Sequence, residues 1–219
     1  MKVKKILYNI VTGLLVLCAS IVAILIFQRE FSQTTQSPSP LYIDNWESLE
    51  VLTKRQGSKE APVQIIEFFD YQCPYCKAVE PSVQYILEKF PEEVSLRYAH
   101  YPLNSHSYAY EAALAAECAA IQNRFQSYHQ LLFAHQEELN KINYESLAVS
   151  AKVENTKDFS KCLENRATFL IIENGMALAS ELDIDAIPTF LKNGKLISGA
   201  LSKFNFENIV KEELTKGNK

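Results

Sequence analysis

The stretch Val63-Gln64-Ile65-Ile66-Glu67-Phe68-Phe69-Asp70-Tyr71-Gln72-Cys73-Pro74-Tyr75-Cys76 decides how this chain folds. Its first seven residues are almost all apolar. That is the signature of a central strand covered on both faces. Asp70 to Gln72 is a short turn. A helix is expected to start near Cys73, because Pro74 suits the first helical position, where the missing N–H costs nothing. Pro81 should kink that helix without ending it. Strand, turn and helix together put Cys73 at a helix N-terminus. There, unpaired N–H groups and the macrodipole favour an anion. The thiolate is the nucleophile in disulfide exchange, so Cys73 is expected to be exposed and reactive. Cys76 should face inward on the same turn, placed to attack a mixed disulfide.

Other readings of C-x-x-C remain open on the residues alone. Half a zinc site would need two more Cys or His ligands, and no second C-x-x-C exists in the chain. A permanent disulfide across so short a loop would stabilise little. A copper carrier would favour further soft ligands, yet the two methionines, Met1 and Met176, lie far from the motif in sequence. No metal ligand set and no cofactor is expected.

Working outward, residues 94–99 alternate apolar and polar and predict a second strand. Residues 105–182 read as a helical block without a strand signal. Within it, 109–120 is alanine-rich, and Phe125, Tyr128, Leu131 and Leu132 recur at helical spacing. Asn143 is expected to cap one helix, Thr156 another, and 167–182 to form a longer one. Pro188 to Lys192 and Lys195 to Ser198 flank Asn193-Gly194, a strong hairpin signal. Residues 204–214 close the chain as an amphipathic helix.

Before the domain, residues 6–27 are almost all apolar and carry no charge, with Lys2, Lys4 and Lys5 ahead of them. The run is long enough to cross a bilayer as a helix. The positive-inside rule would keep the N-terminus cytoplasmic and export the rest. A cleaved signal peptide is one competing reading, since Cys18-Ala19-Ser20 offers small residues to a peptidase, and a lipoprotein cysteine at Cys18 is another, although Leu17 stands where a small residue is expected. Either way the expected location is the outer side of the cytoplasmic membrane. Residues 28–56 read as a polar, Ser-Pro-ended linker and a short helix starting at Asp44 or Asn45. The 219 residues thus suffice for an anchor and one domain. A formal net charge of −4 leaves no basic footprint for nucleic acid.

The motif E-F-F-D-Y-Q-C-P-Y-C, a later I-P-T-F, and a helical stretch between them resemble the DsbA-like branch of the thioredoxin superfamily, from about Gly57 to Leu214. The resemblance implies an α/β thioredoxin fold, residues 57–104 and 183–215, with 105–182 as a helical insertion. It implies a protein thiol–disulfide oxidoreductase with Cys73 as nucleophile and Cys76 as resolving cysteine. Pro188 would be the cis-proline facing them, and Ile187 would offer backbone hydrogen bonds to substrate. Pro74 and Tyr75 complete the expected substrate-binding set. Glu67 matches an acid that exchanges protons with the resolving cysteine. On the residues alone it shares a strand face with Ile65 and Phe69, so burial and a raised pKa are expected, with an acid at the sheet end paired with a lysine as the alternative. Substrates would be cysteine-containing proteins. The redox partner would be a DsbB-like or VKOR-like membrane quinone reductase, or a reductant donor. Disulfide formation is the expected direction, with a reductase or isomerase as the alternative. The family's best-studied oxidants carry Pro-His between the cysteines. Tyr75 offers no cation there, so a Cys73 pKa of roughly 4–6 is expected.

Cys118 and Cys162 stand alone in the helical block. A second disulfide and a pair of buried thiols both fit. His100, His106, His129 and His135 look scattered; His100 follows the second strand and is expected as a solvated loop histidine, with a place near the active-site end of the sheet as the alternative. Tyr71 and Tyr75 are candidates for a substrate groove.

Overall fold

The computed structural model describes residues 4, 13–15, 17–24 and 55–216. The chain divides into two compact units, Met1–Ser39 and Pro40–Lys219. In the first, residues 13–15 and 17–24 are helical and exposed. The membrane span expected over 6–27 lies partly outside the described residues. Among those described, no helix is long and apolar enough to cross a membrane. The expected linker and short helix over 28–54 also lie outside them.

The second unit is built on a four-stranded sheet of order β2-β1-β3-β4, with β1 Val63–Phe69, β2 Val94–His100, β3 Thr189–Lys192 and β4 Lys195–Ser198. β1 runs parallel to β2, with Val63 opposite Val94 and Phe69 opposite His100. It runs antiparallel to β3, with Glu67 opposite Phe190. The hairpin into β4 turns on Asn193 and Gly194, both with positive φ. That left-handed pair is what a two-residue turn between twisted strands requires.

β1 is apolar throughout because both its faces are covered. Val63, Ile65 and Phe69 join a core with Val79, Val83 and Ile86 of helix α1 (Pro74–Lys89) and with Phe206 and Val210 of the C-terminal helix Lys203–Lys216. Ile66 and Phe68 face the other way, onto Leu178, Ala179 and Leu182. α1 passes through Pro81 unbroken.

Between β2 and β3 lie α2 (Ala109–Ile121), α3 (Phe125–Ala134), a 3-10 turn (Gln136–Glu138), α4 (Tyr144–Ser150), α5 (Thr156–Glu164) and α6 (Phe169–Glu181). The C-terminal helix is α7. Asn143 caps α4 by accepting from the Ser146 N–H at 2.7 Å. Thr156, in contrast, does not cap α5: Asn155 does, accepting from Asp158 N–H at 3.1 Å, and Thr156 is the first helical residue. β2 forms where the second strand was expected. All seven of its residues are buried despite their alternation. A bridge from Gln56 to Leu96 covers its outer edge, and the helical insertion covers the face that would otherwise meet water. Cys118 and Cys162 form a disulfide that staples α2 to α5.

Candidate active site

Cys73 is the N-cap of α1, in extended backbone (φ −74°, ψ 119°), and Pro74 opens the helix. No side chain caps this end, so its free N–H groups point at whatever sits on Cys73. Cys73 and Cys76 are both free thiols. The Cys73 pKa falls from 9.0 to about 6. The largest cause is the thiol of Cys76 donating to it; burial opposes this, and the backbone N–H groups of Cys76 and Tyr75 assist. Cys76 moves the other way. Burial pushes its thiol far up, and the Cys73 sulfur and Glu67 add to that. One thiol therefore ionises easily while the other holds its proton.

Cys73 is not exposed as the sequence suggested: only 4% of its surface is open. The loop before β3 folds over it. The Ile187–Pro188 bond is cis, and the Ile187 carbonyl oxygen lies 3.8 Å from Cys73 Sγ. Tyr75 is 66% exposed beside the sulfurs, whereas Tyr71 is buried and takes no part in a surface groove.

Glu67 sits mid-strand and is 2% exposed. Its Oε2 is buried without a hydrogen-bond partner. Burial raises its pKa well above the carboxylate range, and the charge of Glu80 raises it further. Burial thus favours the protonated form of the acid, which is positioned where its charge would be felt by Cys76.

The loop that carries these groups is held by side chains that sequence reasoning passed over. Asp70 accepts from Gln72 N–H at 2.6 Å and Leu103 N–H at 2.8 Å, and lies 2.6 Å from His106 Nδ1. Gln136 donates to the carbonyls of Tyr71 at 2.7 Å and Cys73 at 2.9 Å. His100 is not the solvated loop histidine expected, and it is not alone in being buried. His100 is buried against Glu117 at 2.9 Å and His129 is buried against Glu80 at 3.2 Å. His106 pairs with Asp70, and of the four His135 is the most exposed. A signal for His129 did exist. It stands four residues after Phe125 and four before Phe133, on the apolar face of α3. Glu80 likewise stands four after Cys76, on the inward face of α1. Among the described residues, no group of three or more His, Cys, Asp or Glu side chains is arranged to hold a metal ion.

A family profile described as thioredoxin matches residues 51–212. The chain belongs to the thioredoxin family. Solved structures of similar fold include BdbD of Bacillus subtilis, at 23% identity and TM-score 0.66 over 74% of this chain and 93% of that one. A linker-deletion mutant of ScsC from Proteus mirabilis is 26% identical, with TM-score 0.64 over 76% of each chain. The thiol–disulfide exchange protein α-DsbA2 of Wolbachia pipientis is 17% identical, with TM-score 0.63 over 73% of this chain and 86% of that one. Of these neighbours, α-DsbA2 is named a thiol–disulfide exchange protein, the chemistry expected here from C-P-Y-C. Among curated proteins, the Na(+)/H(+) antiporter NhaA 3 of Salinispora tropica is 36% identical over 143 residues, 64% of this chain. This thioredoxin-family chain spans about a fifth of the length of that relative, 21%.

Proposed function

We propose that this chain is an exported, membrane-anchored protein thiol–disulfide oxidoreductase, and that it donates its Cys73–Cys76 disulfide to cysteine-containing proteins. The observation that carries this reading is the split between the two sulfurs. Cys73 is an easily formed anion at a helix start, opposite a cis-proline, and Cys76 is a buried thiol that keeps its proton.

The steps follow from that split. A substrate thiolate attacks Cys73 Sγ of the disulfide, and the Cys73–Cys76 bond breaks. Cys76 leaves with the electron pair and takes a proton, for which buried Glu67, its pKa raised by that burial, is the nearby source. A second substrate thiolate attacks the substrate sulfur of the mixed disulfide. Cys73 then leaves as a stable thiolate, and the substrate holds the new disulfide. A low-pKa sulfur is the better leaving group. Run in reverse, Cys76 resolves the mixed disulfide and Glu67 receives its proton. Ile187, Pro188, Pro74 and Tyr75 line the approach to Cys73.

The apolar run at 6–27 behind three lysines supports the anchor and the outward orientation of the domain. The Cys118–Cys162 bond supports an oxidising compartment. Reoxidation would fall to a DsbB-like or VKOR-like membrane partner.

Trapping tests the roles. Cys76→Ser should accumulate mixed disulfides with substrate proteins, and Cys73→Ser should accumulate none. Equal trapping by both variants would refute the assignment. A membrane-impermeant maleimide applied to intact cells should label reduced Cys73; labelling only after lysis would refute export. The equilibrium with glutathione sets the direction, with a potential well above that of thioredoxin expected for an oxidant.

A further inference from the structure

His129 lies on α3, outside the sheet and outside C-P-Y-C, and it is fully buried. Both of its ring nitrogens are engaged. Nδ1 is 2.9 Å from the Tyr71 hydroxyl, and Nε2 is 3.2 Å from Glu80 Oε2. Tyr71 stands two residues before Cys73, and Glu80 stands one turn after Cys76 on α1. One imidazole therefore bridges the loop that leads to one sulfur and the helix that carries the other.

The bridge is built to stay in place. The ring stacks on Phe125 at 5.3 Å and meets Phe133 edge-on at 4.9 Å. The other carboxylate oxygen of Glu80 accepts from Gln84 Nε2 at 2.8 Å. Seven residues after His129, Gln136 adds its two donations to the Tyr71 and Cys73 carbonyls. Core filling alone would be served by an apolar ring in this aromatic nest. A buried carboxylate, imidazole and phenol cost free energy unless each is paired, and here each finds its partner in the next.

We propose that His129 is a positioning residue for thiol–disulfide exchange, tying Tyr71 in the active-site loop to Glu80 on the active-site helix and so holding Cys73 in register with Cys76 and Pro188. The inference rests on the oxidoreductase reading above and assigns the helical insertion a part in that same site. Cutting the tie frees the loop. The Cys73 anion then spends less time against the helix start and the Cys76 thiol, and the dithiol form loses its advantage over the disulfide.

The test uses the full chain and three variants, Tyr71→Phe, His129→Gln and the double substitution. Each is equilibrated with glutathione, in which one protein disulfide and two glutathione thiols give one protein dithiol and one glutathione disulfide. Alkylation of Cys73 at pH 6 and the thermal midpoint are measured alongside. Tyr71→Phe removes one oxygen and keeps the ring. It should shift the equilibrium toward the protein disulfide by about three- to tenfold and slow alkylation to match, the scale of one hydrogen bond. The double variant should do no more than His129→Gln alone, because the hydroxyl has already lost its partner. A lower thermal midpoint with equilibrium and alkylation unchanged in Tyr71→Phe would overturn the proposal and leave His129 a structural role. Strictly additive effects in the double variant would overturn it as well. If His129→Gln does not fold, Tyr71→Phe still decides. A wild type that never equilibrates with glutathione would sink the oxidoreductase reading together with this inference. A wild type that equilibrates, with a Tyr71→Phe variant that matches it, sinks this inference alone.

Discussion

Replacing Cys76 with alanine should raise the pKa of Cys73, and the structure sets how far. Cys73 titrates at about 6 instead of 9.0, and the largest single cause is the hydrogen bond donated by the Cys76 thiol. The backbone N–H groups of Cys76 and Tyr75 also lower it, but burial and the charge of Asp70 oppose them. A hydrogen bond to a charged group is worth about 1.5–3 kcal/mol, which corresponds to about one to two pKa units. Cys76→Ala should therefore move Cys73 up to about 7–8. At neutral pH the thiolate share would fall from about nine-tenths to half or less. Cys76→Ser retains an O–H donor and should stay close to the wild type. The assay is the rate of alkylation by iodoacetamide across pH 4 to 10, on reduced protein, with the midpoint read from the curve. Were Cys76→Ala to titrate at the wild-type midpoint, the helix N-terminus alone would hold the anion, and the coupling of the two sulfurs argued above would be wrong.

Because the folded pKa of Cys73 is depressed, the unfolded dithiol chain binds more protons between about pH 6 and 9, so the reduced protein should gain stability as pH rises through that window and lose it as pH falls through 6. The oxidised protein lacks this titration, so the gap between the two thermal midpoints should change with pH in that direction. Glu67→Leu removes a buried oxygen without a partner and should stabilise the fold by about 1–3 kcal/mol in urea titration. The same change should slow reduction of the Cys73–Cys76 disulfide by a substrate thiol, the step in which Cys76 takes its proton, by about a hundredfold. Gly175→Ala would put a Cβ 2.4 Å from the His100 carbonyl oxygen where α6 crosses the end of β2. It should cost about 1–3 kcal/mol, read from the shift in denaturation midpoint. Removing the Cys118–Cys162 bond opens a loop of 44 residues; the double alanine variant should lose about 4 kcal/mol, with exchange at Cys73 unaffected.

The parts of the fold legible in the sequence are those fixed by neighbours along the chain. β1 announces itself because both faces are covered. Pro74 marks the start of α1, and Asn193-Gly194 marks the hairpin because both residues take positive φ. What escaped was set by residues far apart in sequence. Cys73 is covered by Ile187, 114 positions away. Glu80 and His129 are 49 positions apart, and nothing local in either helix announces the pairing. β2 alternates like a half-exposed strand, yet Ser95, Arg97 and His100 are buried because the Gln56 bridge and the insertion close around them. Thr156 and Asn155 are both good caps side by side. Only the donor position of Asp158 separates them.

Asp70 shows how stiffness and charge compete at this site. Its carboxylate organises the turn before Cys73, binding two backbone N–H groups and His106, and its carbonyl accepts the Cys73 N–H at 3.1 Å. The same negative charge raises the pKa of Cys73, against the function proposed for it. An acid at this place is tolerable only if its charge is drawn away from the sulfur. All three side-chain contacts do that, and two of them, Leu103 N–H and His106, come from the segment that enters the helical insertion. The insertion thus does two things for one loop: it compensates the charge of Asp70 and, through Gln136 and His129, fixes the backbone on which Cys73 rides. A thioredoxin sheet without those helices would keep C-P-Y-C and the cis-proline, but its active-site loop would lack the groups that satisfy the buried Asp70 and fix the backbone on which Cys73 rides.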